Sequence, residues 1–199
     1  MKNSFTIKFI AAYALLVSAN SAFSQHSSQR HHPSAPAAAQ VTPSPYTGEQ
    51  VRTIKSLSTS DVQALLAGAG MAYAKAAELN GYSGPAHVLE LSTPLNLTSE
   101  QRVATEGLMA RHKAKASALG AQLVEAERTL DSAFASKQID TGRVTELTQA
   151  IGVLQADLRS EHLQTHLAQT ALLNTQQVAL YQSLRGYDSP AIPTATVPR

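Results

Sequence analysis

Apolar residues recur every three or four positions from Met109 through His112, Ala116, Leu119, Leu123, Ala126 and Leu130 to Phe134, with one break of register. After a turn at 136–142 (SKQIDTG) the spacing resumes with Val144, Leu147, Ile151, Leu154 and Leu158, and runs on to about Ala171. A seam of that length is the signature of two long helices lying along one another. The first has a defined start. In Leu97-Thr98-Ser99-Glu100-Gln101, the Thr98 hydroxyl can accept from the Gln101 N–H while the Gln101 side chain reaches back to the Thr98 N–H, a complete capping box. Leu173-Asn174-Thr175-Gln176-Gln177 repeats the device with Asn174 as cap, Gln177 as reciprocal partner and Leu173 with Val178 as hydrophobic staple. The helix it opens ends at Gly186.

Upstream, Ser58 with Asp61 is a weaker capping signal. It precedes a stripe of Val62, Leu65, Leu66, Tyr73, Ala76 and Leu79 that stops at Asn80-Gly81. Gly68 and Gly70 interrupt the stripe. With no preceding strand and no third glycine they make a poor phosphate loop, and close helix packing explains them better. Gly84-Pro85 opens a short helical turn over 86–91 that is stopped near Pro94. The expected fold is all-α, with four helices: a long antiparallel hairpin flanked by two shorter elements.

The N-terminus reads as an export signal. Lys2 and Lys8 precede an apolar run from Phe9 to Ala19, too short to span a bilayer, and Ala22-Phe23-Ser24 fits a signal-peptidase site. A buried N-terminal helix is the alternative and leaves the charged start and small-residue exit unexplained. Residues 1–24 are therefore expected to be a signal peptide, and the protein periplasmic. No cysteine follows the run, so no lipid anchor is expected. Cleavage removes Lys2 and Lys8 and no acid, which levels 16 basic residues with 14 acidic ones. No net field remains to hold nucleic acid or an anionic membrane. Absence of Cys and Trp, and only 5% aromatics, suit a slim helical bundle. Residues 25–45 (Ser, Pro, Ala and His) and 188–199 are expected to be disordered, leaving 46–187 as the folded domain.

A Leu-Thr-x-x-Gln helix start at 97–101, a long hairpin, then a second such start at 173–177 with Asn174 in place of Thr resembles the LTxxQ-motif periplasmic proteins. These comprise Spy/CpxP-type chaperones, the zinc resistance-associated protein and periplasmic heavy-metal sensors. Residues 178–187 (VALYQSLRGY) are similar to the closing helix of the sensor branch, and the resemblance covers about 85–187. It implies a hooked four-helix fold, an antiparallel homodimer with a concave face, and no enzymatic activity. On function it splits between holding unfolded clients without ATP, binding zinc, and reporting nickel, cobalt or copper to a signalling partner.

Histidines decide between these. His26, His31 and His32 lie in the N-terminal low-complexity stretch. His162 and His166, one helical turn apart and preceded by Glu161, share a face and can reach one ion. The spacing resembles the zinc-protease His-Glu-x-x-His helix, but Leu163 stands where the catalytic glutamate is needed, so hydrolysis is excluded. Residue 139 lies midway between His112 and His166, which puts both at one height if the hairpin turns there. His112, Glu161, His162 and His166 are thus the candidate ligands for Zn, Cu, Ni or Co; half-exposed helix histidines at the seam edges are the competing reading. His87 has no spaced partner and reads as a cap or interface residue. With no catalytic constellation present, the expected function is transition-metal binding or sensing in envelope stress. The alternative is an ATP-independent holdase for unfolded envelope proteins, and a membrane signalling protein is a further expected partner.

Overall fold

The computed structural model describes residues 42–188; the expected signal peptide, nearly all of the 25–45 segment and the tail beyond Asp188 lie outside them. The described residues are all-α. After a 3₁₀ turn at Glu49–Val51 come α1 (Thr59–Leu66), α2 (Lys75–Glu78), α3 (Pro85–Glu90), α4 (Ser99–Ala135), α5 (Thr141–Ala171) and α6 (Thr175–Leu184), with no strand among the described residues. None of these helices is long and apolar enough to cross a membrane.

Capping chemistry sets the boundaries. Ser58, Thr98 and Asn174 each form a reciprocal capping box, with Asp61, Gln101 and Gln177 respectively. Asp140 caps α5 by accepting from the Arg143 N–H at 2.8 Å. Pro85 occupies the first turn of α3, where a missing N–H costs nothing.

Where a single first helix was expected through Leu79, there are two, α1 and α2. The break at 67–74 follows from the backbone: Gly68, Met71 and Ala72 all take left-handed conformations, with φ of 63°, 40° and 63°. Close packing forces the break. The C-terminal end of α1 lies directly on α4, where a Cβ on Gly120 would stand 2.1 Å from the Leu65 carbonyl oxygen. A Cβ on Gly68 would meet the Lys113 carbonyl and the Ser117 amide at 3.0 Å. Gly70 has nothing within 4 Å, so packing accounts for one glycine of the pair and not the other.

Two apolar clusters result. One gathers Ile54, Leu65, Ala116, Leu123, Val124, Ile151 and Leu158 where α1, α4 and α5 meet. The other, Val88, Leu95 and Tyr181, lies where α3 meets α6. The seam expected on α4 does not reach its end, because Phe134 is exposed. Between the clusters, α4 and α5 bury a polar layer of Thr105, His112, Glu161, His162, Thr165 and Gln169. Burying such a layer is costly unless its members satisfy one another. Gln169 Nε2 donates to the Thr105 hydroxyl at 3.1 Å, and the remainder form the site below.

Candidate metal centre

His112 meets α5 at Glu161, His162 and Thr165. Its Nδ1 is 3.0 Å from the Thr165 hydroxyl and 3.3 Å from Glu161 Oε1, and the Thr165 hydroxyl lies 3.4 Å from that same oxygen. The pattern fixes the tautomer. A carboxylate accepts only, so Nδ1 carries the proton and Thr165 donates onward to Glu161. Burial works to raise the Glu161 pKa, but hydrogen bonds and charge from Lys115 and His112 outweigh it, and the carboxyl is held below its ordinary value. Lys115 Nζ, 2.7 Å from Glu161 Oε2, is raised in turn. With Nδ1–H of His112 tied to this anion, its Nε2 is left as the basic nitrogen. Metal-binding imidazoles are oriented in this way.

His166 is arranged alike. Its Nδ1 lies 2.9 Å from the Tyr82 carbonyl oxygen, which can only accept, so here too Nδ1 donates and Nε2 is the nitrogen left for a ligand. Gly84 makes room for it: a Cβ there would stand 2.8 Å from Cε1 and 2.9 Å from Nε2 of His166. Glu78 stands near the same nitrogen, its Oε2 3.5 Å from His166 Nδ1. Glu78 Oε1 is crowded, accepting from Tyr181 Oη at 2.6 Å and Tyr187 Oη at 3.1 Å, with Arg185 Nε at 3.4 Å.

His162 lies between them. Its ring stacks on Tyr73, centroids 5.5 Å apart, and receives His112 edge-on at 4.6 Å. It is 3% exposed, and its buried Nε2 has no hydrogen-bond partner among the described residues. Burial, then the charges of His112 and His166, depress its pKa to about 4, against a weaker upward pull from Glu161. His162 is a neutral base across the physiological range, the protonation state in which imidazole binds metal.

His112, His162, His166 and Glu78 line one cavity of about 630 Å³, walled on the far side by the 67–72 segment. Glu161 is not on its wall; it stands behind His112. The sequence put His112 level with His166; His112 contacts Thr165, the residue next to His166, and also faces Glu161 and His162, while the His166 ring turns toward Tyr82 and Glu78. His87 neither caps a helix nor stands alone. It pairs with Glu90 at 2.8 Å on its own helix and reaches the cavity rim. Glu78 and Thr165, and the place of the stripe residue Tyr73 at this site, are not legible in the sequence, where no spacing links them to the histidines.

The donor chemistry fits a borderline or soft ion: three imidazoles, two held by hydrogen bonds at Nδ1 and one with an orphaned nitrogen. The spacing is looser. Among the described residues no three His, Asp or Glu side chains are already gathered tightly enough to hold an ion. Compared with the models of known families, with curated proteins and with solved structures, the chain matches none.

Proposed function

We propose that this is a periplasmic, non-enzymatic protein that binds a transition metal ion and buffers or reports it under envelope stress. The observation that carries the reading is the convergence of three imidazoles on one cavity, with His112 and His166 held by their Nδ1–H groups and His162 kept neutral by burial. His112, His162 and His166 would hold the ion, and Glu161 would orient His112 from behind. Loading requires side chains to draw together, so binding should tighten the packing of the 67–74 segment over the cavity. The likeness of residues 97–101 and 173–177 to LTxxQ proteins supports the same reading. It extends it to a hooked helical architecture built on a long antiparallel hairpin of α4 and α5, and to an antiparallel homodimer.

A holdase is the second reading. Val103, Leu167, Leu180 and Leu184 are all more than 40% exposed on α4, α5 and α6, apolar side chains of the kind an unfolded client or a second copy would cover. One experiment separates the two. Calorimetric titration with Zn²⁺, Cu²⁺, Ni²⁺ and Co²⁺ should give saturable one-to-one uptake at micromolar concentration, lost in His162→Ala. If no ion is taken up while the protein suppresses client aggregation, the holdase reading stands instead.

A further inference from the structure

Imidazole alone does not choose among Zn, Cu, Ni and Co. The rest of the cavity wall is more selective. The chain has three methionines; Met1 belongs to the expected signal peptide, and the other two, Met71 and Met109, both line this cavity with the histidines. Thioethers are weak ligands for hard and borderline dications and select Cu(I). The carboxylates are only partly engaged, for Glu78 Oε2 is buried with no hydrogen-bond partner among the described residues. Glu161 is held by Lys115, His112 and Thr165, and Glu78 Oε1 by two tyrosine hydroxyls and Arg185.

Cu(I) needs few ligands, and thioethers can complete a set that imidazoles begin. Met71 lies on the segment that joins α1 to α2. It is 39% exposed and held at φ 40°, a strained backbone for a residue with a side chain, next to Ala72 at φ 63°.

We propose that the ion taken by this cavity is Cu(I), bound by imidazole nitrogen from among His112, His162 and His166 together with the thioether of Met71, Met109 or both. The proposal rests on the metal-binding reading and adds the identity of the ion and its sulfur donors.

The chain has no cysteine, so any sulfur bound to copper must come from methionine. The test is X-ray absorption at the copper edge on the purified protein, loaded anaerobically with one equivalent of Cu(I). It is run beside competition titrations of Cu(I) and Zn²⁺ against chromophoric chelators. The expected result is a first shell containing both nitrogen and sulfur. In the Met71→Leu/Met109→Leu double variant, which nearly conserves volume, the sulfur shell should vanish. Cu(I) affinity should fall by about tenfold or more while Zn²⁺ affinity changes little. Circular dichroism checks that the variant folds. A nitrogen-only shell, or Cu(I) affinity unchanged in the double variant, overturns the sulfur-ligated Cu(I) site while the metal reading stands on any dication bound. Failure of every ion to bind removes both.

Discussion

The side-chain amides of Gln101 and Gln177 bind each other reciprocally, Gln101 Nε2 lying 2.8 Å from Gln177 Oε1 and Gln177 Nε2 2.9 Å from Gln101 Oε1. Each oxygen also accepts from its own N-cap amide, Thr98 or Asn174. Each nitrogen also donates to a carbonyl of the other region, Gln101 to Leu172 and Gln177 to Leu95. Both amides are therefore satisfied at every donor and acceptor, and the starts of α4 and α6 are locked together.

This lock separates the capping rule from the tertiary one. Glutamate serves as well as glutamine in a capping box. Here it would lose two donors and bring a charge against the Leu172 carbonyl. Gln101→Glu should therefore destabilise the protein by about 2 kcal/mol or more at neutral pH. A double-mutant cycle of Gln101→Ala with Gln177→Ala should show coupling of roughly 0.5–3 kcal/mol. Urea unfolding measures both. A Gln101→Glu variant as stable as the parent would mean that the glutamines act only as separate caps.

Gly120 and Gly152 provide a matched pair. A Cβ at Gly120 would run into the Leu65 carbonyl, whereas one at Gly152 meets nothing within 4 Å. Gly120→Ala should cost about 1–3 kcal/mol by pushing α1 off α4. Gly152→Ala should stabilise by roughly 0.5–1 kcal/mol through helix propensity alone. Thermal melts of the two variants should move in opposite directions.

Long-period and capping features were legible in the sequence because they are local. The seam from His112 to Leu130 and the boxes at Thr98 and Asn174 each depend on residues within a turn or two of one another. The Met71–Ala72 kink was not legible, since it follows from Leu65 seating on Gly120, a contact between distant segments. The same limit applied to the site. His162 and His166 share a helix face by spacing. That Glu161 backs His112, and that Glu78 reaches His166, depends on a register between α4 and α5 and on where α2 docks.

Stability of the metal-free protein should depend on pH through His162. Its folded pKa of about 4 lies below the ordinary histidine value of 6.5, so between those values the unfolded chain binds the proton that the folded one refuses. Stability is complete above pH 6.5 and is lost as pH falls toward 4, by up to about 1.4 kcal/mol per unit. Glu161, held below its ordinary 4.5, adds to the loss only at still lower pH. In His162→Gln the slope between pH 7 and 5 should flatten. Parallel slopes in the two proteins would assign the acid sensitivity elsewhere.

The central claim is that an ion is held by the basic nitrogens of His112, His162 and His166. Long-range ¹⁵N–¹H NMR of the imidazoles, recorded with and without one equivalent of Zn²⁺ as a diamagnetic probe, tests it most directly. Before metal, His112 and His166 should show protonated Nδ1 and basic Nε2. On addition, Nε2 of His112 and His166 and a ring nitrogen of His162 should move together and saturate at one equivalent, while His87 stays paired with Glu90. If those three rings are unmoved while only His26, His31 and His32 respond, the ion belongs to the N-terminal segment and the account of this cavity is wrong.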